Sequence, residues 1–226
     1  IINMRKTIAV IGLGRFGVGL VKSFSNKDVN VIAIDKEKKN VAKVGQYIQD
    51  AFVCDSTKES ALIEAGINNA DVAIIAFGQD NESNIATTIL TVIVLKNIGV
   101  KKITCRIDDP YYEPLLLKIG VDDCISPFNI ASESLSLRVS SKSVMDYYNI
   151  SDDYNVFELE IPENAKKISL IDLNSPSRFG VNIILVSRDD KSFMPNKGLV
   201  LEPKGHIFIF GKEKGVFELE SFLIND

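Results

Sequence analysis

Residues 12–17 read Gly-Leu-Gly-Arg-Phe-Gly and stand directly between an apolar run, Thr7–Ile11, and a helical pattern, Phe16–Ser25. A Gly-x-Gly-x-x-Gly turn in that setting suits a phosphate ligand for three separate reasons. Gly12 makes the tight turn. Gly14 lets the backbone approach a pyrophosphate. Gly17 lets the helix lie close on the sheet. The first turn of the helix then offers unpaired N–H groups and a partial positive charge to the phosphates. Asp35 ends the next apolar run, 18 residues after Gly17, where a carboxylate accepts hydrogen bonds from ribose hydroxyls. A negative charge there repels a 2′-phosphate, so NAD-like or plain adenosine ligands fit better than NADP.

Further candidates fall where other apolar runs end, the edge at which open α/β sheets bind ligands. Lys36 follows Asp35, Asp55-Ser56 follow the third run, Phe77-Gly78 the fourth, and Arg106 closes the fifth. Arg15 and Phe16 lie inside the glycine loop, with Arg15 in reach of phosphates. Asp55 also suits a cap for a helix starting near Thr57.

These residues need a scaffold, and the hydropathy pattern supplies one. Short runs rich in Val, Ile and Ala recur at Thr7–Ile11, Val29–Ile34, Ala51–Cys54, Val72–Phe77, Lys102–Arg106 and Asp123–Ile125. They lack polar alternation, as strands buried on both faces do. Helical patterns lie between them at Phe16–Ser25, Lys38–Gln46, Thr57–Ala65, Glu82–Asn97 and Pro110–Ile119. The alternation predicts an α/β fold, a Rossmann-like doubly wound parallel sheet. Gly66, Gly99 and Gly120 follow three of the helices, as helix-ending glycines do. After Ile125 the pattern changes. Ser132–Tyr148 reads as one more helix, with Leu135, Val139 and Met145 among its apolar positions, and Ile150–Tyr154 is a polar break. Asn155–Ile161 alternates like a half-buried strand, Asn182–Ser187 and His206–Phe210 are further strands, and Lys212–Leu223 is a last helix. The division expected is a nucleotide-binding domain over 1–131, a crossover helix and linker over 132–150, and a small α+β domain over 151–226.

Composition excludes several classes. The chain has 226 residues and a net charge of −4, without the broad basic field that nucleic acid demands. Its longest apolar run, Ile89–Leu95, falls far short of the ~20 residues of a membrane span. The N-terminal segment lacks a signal-peptide layout, Met4 is a plausible start, and a cytoplasmic location is expected. Cys54, Cys105 and Cys124 are widely spaced and contain no Cys-x-x-Cys, so three buried thiols are expected. The one histidine, His206, excludes a histidine metal cluster; no metal site is assigned. His206 opens a strand of the second module and reads as a satisfied or edge residue. The acid pairs Asp108-Asp109 and Asp122-Asp123 sit in turns and read as solvated. The sequence thus shows a nucleotide site without visible proton-transfer chemistry. A binding protein is expected, with an NAD-dependent oxidoreductase as the alternative.

The chain resembles the RCK (regulator of K+ conductance) family, closest to its cytoplasmic Trk/Ktr type. The segments AVIGLGRFG (9–17), VIAID (31–35), CDSTKESALIEAGI (54–67), DVAIIAFG (71–78) and LLLKIGVDDCISP (115–127) carry the resemblance. ISLIDLNSPSRFGVNIILVSR (168–188) and LEPKGHIFIFGK (201–212) look like the family's smaller C-terminal domain. The resemblance implies binding of ATP, ADP or NAD(H), a homodimer assembled into a ring of dimers (an octamer), and a membrane K+ channel or transporter as partner at the inner face of the cell membrane. Cyclic di-AMP is implied at the C-terminal domain, where Ile168, Leu170 and Ile171 either face the bases, with Lys167 or Arg178 reaching phosphates, or simply pack under the module's sheet. Two departures stand out. Pro127 is followed by Phe128-Asn129, where similar proteins carry a cation-holding glutamate, and the next acid is Glu133. Pro176 occupies the place of a phosphate-holding arginine, with Arg178 two residues on.

Overall fold

The computed structural model describes residues 5–78, 82–151, 153–189 and 191–225. The candidate start Met4 and Asp152 of the polar break lie outside the described residues. The chain divides after Phe128 into two compact units.

The first unit is built on six strands: β1 (Lys6–Ile11), β2 (Val29–Asp35), β3 (Ala51–Val53), β4 (Val72–Ile75), β5 (Lys102–Arg106) and β6 (Asp123–Ile125). All pairs are parallel and the order is β3-β2-β1-β4-β5-β6. The helices between them are α1 (Arg15–Phe24), α2 (Lys38–Val41), α3 (Glu59–Glu64), α4 (Glu82–Asn97) and α5 (Glu113–Lys118), with α6 (Pro127–Ser140) leaving the last strand. Strand β1 sends Ala9 and Ile11 into one buried cluster and Ile8 and Val10 into another. Both faces of the sheet are therefore covered, which is why its strands read as unbroken apolar runs. The order reverses between β1 and β4, and a crevice opens at the carboxyl ends there. Gly66, Gly99 and Gly120 all take left-handed φ values, 80°, 85° and 111°, as expected of residues that end helices.

The second unit carries β7 (Val144–Asn149), β8 (Asn155–Glu160), β9 (Ile168–Ser169), α7 (Leu170–Leu173), α8 (Ser175–Phe179), β10 (Asn182–Arg188), β11 (Lys191–Phe193), β12 (Val200–Leu201), β13 (His206–Gly211) and α9 (Glu213–Asn225). Its five-stranded antiparallel sheet runs β11-β10-β13-β8-β7, and β9 pairs with β12. Val216, Leu219 and Leu223 of α9 join Phe157, Leu159, Ile207 and Ile209 in its core.

Several elements differ from the sequence reading. The helix expected over Ser132–Tyr148 starts earlier, at Pro127, and ends at Ser140, while Val144–Asn149 is a strand paired with β8. Proline fits the first helical position. The chain turns at 141–143 because the buried Glu220 carboxylate of α9 accepts from Ser141 Oγ (2.6 Å) and the amides of Lys142 (2.9 Å) and Ser143 (2.6 Å). The helix expected over Lys38–Gln46 is only Lys38–Val41, after which the amides of Val44 and Tyr47 bond three residues back. Helix α3 starts at Glu59 rather than Thr57, and Pro110–Tyr112 is a 3-10 turn ahead of α5. His206 is satisfied by Glu158 Oε1 at 2.9 Å, but β13 is the central strand of its sheet, not an edge. Cys54 and Cys105 are buried, whereas Cys124 is half-buried on the edge strand β6. Among the described residues no helix is long and apolar enough to cross a membrane, and no group of three metal-ligating side chains is arranged to hold an ion.

Candidate nucleotide site

The crevice at the carboxyl ends of β1–β6 is a cavity of about 800 Å³. Eleven of the twelve residues singled out from sequence line it: Gly12, Gly14, Arg15, Phe16, Asp35, Lys36, Asp55, Ser56, Phe77, Gly78 and Arg106. Gly17 does not. It lies in the first turn of α1, where a Cβ would collide with the Gly12 carbonyl oxygen, so its role is close packing of helix on turn. Gly12 has φ +95°, and a Cβ there would meet Phe77 at 2.9 Å. Gly14 differs from both. Its φ of −70° suits any residue, and a Cβ built on it has nothing within 4 Å. It is the N-cap of α1, no side chain caps that helix, and its first turn carries no acid. The opening of α1 is therefore an unshielded donor surface facing the cavity.

Asp35 is 8% exposed and holds the loop in place. Its Oδ2 accepts the Leu13 amide at 2.6 Å, and Oδ1 accepts the Glu37 amide (2.8 Å) and Asn40 Nδ2 (3.2 Å). At the β3 end, Asp55 Oδ1 accepts both the hydroxyl (2.7 Å) and the amide (3.0 Å) of Thr57. Those two bonds, the hydroxyl first, hold its carboxyl below the ordinary 3.8. Asp55 thus closes the Thr57 turn ahead of α3 rather than capping a helix that starts there. Ser56 Oγ bonds Thr91 Oγ1 of α4 at 2.8 Å. Burial pushes the Cys54 thiol above its ordinary value, with Asp55 and Glu64 adding to the rise.

Arg106 reaches the cavity from β5. Its Nε and Nη2 donate to Asp108 Oδ1 at 2.9 and 2.7 Å, and its guanidinium lies 5.8 Å from the Phe16 ring and 5.1 Å from the Phe128 ring. Glu37, Asn40, Asn84, Thr87, Pro127 and Phe128 also line the cavity, though no motif or strand-end position marks them as nucleotide-site residues. The nearest signal is for Glu37, two residues after the strand-ending acid. The others enter from helices whose placement is tertiary.

Residues 8–127 match the TrkA-N domain and residues 156–224 the TrkA-C domain. The chain belongs to the TrkA-N/TrkA-C family. Among its TrkA relatives, the Ktr system potassium uptake protein C of Bacillus subtilis (strain 168) is 34% identical over 185 residues, 82% of each chain. The Ktr system potassium uptake protein A of the same organism is 29% identical over 96% of each chain. The TrkA fold recurs in the GsuK channel, with a TM-score of 0.69 at 13% identity over 99% of this chain and 40% of that one. A second structure, the GsuK channel bound to NAD, gives 0.66 at 14% identity over 100% of this chain and 40% of that one. The resemblance carried by AVIGLGRFG and its companion segments is therefore one of family.

Proposed function

We propose that this chain is a nucleotide-sensing regulatory subunit of a Trk/Ktr-type potassium channel or transporter, binding ATP, ADP or NAD(H) in the first-unit cavity. The observation that carries the reading is Gly14. Gly12 and Gly17 have steric reasons inside the protein to be glycine, and Gly14 has none. A bare backbone beside an uncapped helix start suits a pyrophosphate drawn against α1. The cations Arg15, Lys36 and Arg106 on the wall favour an anionic ligand. The potassium partner is supported by the relatives, which are named as potassium uptake proteins. The role is read as binding rather than turnover, in line with relatives named as potassium uptake proteins.

A homodimer, assembled as a ring of dimers at the inner face of the membrane, gates the partner through ligand-dependent rearrangement. The nucleotide biases that equilibrium by its different affinity for the two geometries. Leu135 and Val139 of α6, four residues apart on one helix face, are 61% and 75% exposed, an apolar pair that suits a partner subunit. Calorimetry with ATP, ADP and NADH tests the site: Gly14→Val abolishes binding, and unchanged affinity refutes the reading.

A second ligand, cyclic di-AMP, is proposed for the second unit. A cavity of about 160 Å³ is lined by Lys166, Lys167, Ile168, Phe222 and Leu223. Arg178 stacks 4.2 Å from the Phe222 ring, Leu170 joins the core margin, and Ile171 stays 58% exposed. Arg178→Ala weakens cyclic di-AMP binding and leaves ATP binding untouched; equal affinity in that variant removes the site.

A further inference from the structure

The strand order sets a direction along the cavity. Asp35 ends β2, the glycine loop leaves β1, and Arg106 ends β5, with β4 between. At the usual strand spacing these three steps span roughly 14 Å. This inference rests on the nucleotide reading above. A ligand with its ribose at Asp35 lays its pyrophosphate on the opening of α1. Whatever follows the second phosphate then reaches the β5 end. For ADP nothing follows. For ATP it is an anionic phosphoryl group, for NADH a neutral ring, and for NAD+ a cationic ring.

The charges of the wall are unevenly placed. Asp35, Lys36, Glu37 and Asp55 stand at the β2–β3 end, and Arg15 stands in the loop beside the pyrophosphate position. Arg15 therefore bears on ADP and ATP alike. At the β4–β6 end, among the described residues, the lining includes Phe77, Gly78, Asn84, Thr87, Arg106 and Phe128, and Arg106 is the one of these that carries a charge. The guanidinium is preset. It is 14% exposed, forked onto Asp108 and in cation–π contact with the Phe16 and Phe128 rings. Gly78 leaves it room, since a Cβ there would overlap the Asp108 carboxylate and come within 3.1 Å of Arg106 Nη2. Asp108 itself does not line the cavity.

The geometry points to Arg106 as a terminal-group selector, a specificity residue that favours ligands anionic beyond the second phosphate and disfavours the cationic nicotinamide of NAD+. Phe16, Phe128 and Asp108 are its positioning residues. A planar, permanently charged donor held in this way costs little further ordering when it engages a phosphoryl group.

The test is calorimetry of the intact chain with ADP, ATP, NAD+ and NADH, repeated on Arg106→Gln. The native protein prefers ATP over ADP and NADH over NAD+. In the variant the ATP:ADP ratio falls by about tenfold, the scale of one charge-assisted hydrogen bond, and the NADH:NAD+ preference, which rests on charge repulsion alone, narrows. Affinity for ADP, which ends short of β5, falls less than affinity for ATP does. Arg106→Lys keeps both orderings. Unchanged ratios in a variant that binds ADP overturn the selector and leave the nucleotide site standing. A native protein that binds none of the four overturns the nucleotide reading, and the selector with it. If Arg106→Gln fails to fold because the Asp108 carboxylate loses its guanidinium, the double variant Arg106→Gln/Asp108→Asn removes both charges and is read by the same ratios.

Discussion

The backbone N–H of Leu13 donates to Oδ2 of Asp35 at 2.6 Å, tying the middle of the glycine loop to the end of β2. The carboxylate placed to receive a ribose thus also builds the loop that receives the phosphates. Two sequence signals 22 residues apart are one structural unit.

Asp35→Ala is therefore expected to cost stability as well as binding. It strands the buried Leu13 amide and releases the Glu37 amide and Asn40, a loss of about 1–3 kcal/mol. Thermal unfolding without ligand checks this. Asp35→Asn, which keeps an acceptor oxygen, loses less. An Asp35→Ala protein as stable as the parent would remove the loop-building role.

The three loop glycines are expected to separate by phenotype. Gly12→Ala forces a side chain into a left-handed conformation against Phe77 and costs about 1–3 kcal/mol. Gly17→Ala, blocked by the Gly12 carbonyl oxygen, costs at least as much. Gly14→Ala leaves the unfolding midpoint unchanged and weakens nucleotide binding. Denaturant unfolding alongside calorimetry distinguishes them, and a Gly14→Ala protein destabilised like the other two would count against the division of roles.

The thiols predict an alkaline effect. Burial pushes Cys105 up to about 12 and Cys124 to about 11, from an ordinary 9.0. The folded chain thus holds these protons more tightly than the unfolded chain does. Their contribution is fully present below pH 9 and is lost as pH rises from there through 11 and towards 12. Unfolding followed against pH, for the native chain and for Cys105→Ala/Cys124→Ala, should show a shallower alkaline decline in the variant. At pH 8 both thiols resist iodoacetamide in the folded protein, and Cys124, half-buried, reacts before Cys105.

Glu220 is expected to be the costly residue of the second unit. It is 8% exposed, and Oε1 accepts three donors from Ser141–Ser143. Glu220→Ala leaves the Lys142 amide unmatched, with the Ser143 amide keeping only Ser141 Oγ at 3.1 Å, and destabilises by about 2–3 kcal/mol. Glu220→Gln keeps one acceptor oxygen and loses less. Hydrogen exchange at Lys142 and Ser143 reports the same loss locally; exchange as slow as in the parent would refute the latch.

The layered α/β architecture, the second α+β module and most of the cavity wall are legible in residue types and spacing alone. Parallel strands buried on both faces must be apolar at every position, so Val29–Ile34 and Val72–Phe77 identify themselves without a partner. A phosphate-cradling turn needs glycine at fixed offsets, so Gly12, Gly14 and Gly17 carry position and chemistry together. Tertiary structure decided what depends on distant partners. Val144–Asn149 continues a helical-looking pattern, yet it becomes a strand because β8 offers a free edge and Glu220, 77–79 residues away, bends the chain before it. Phe128 looks like an ordinary residue after a proline until Arg106 is found in cation–π contact with its ring. Asp35 reads as a ligand for ribose until Leu13 is seen to occupy one of its oxygens. Local spacing specifies which groups share a face or a turn, whereas pairing across the chain is set by packing and unmatched donors that no short window contains.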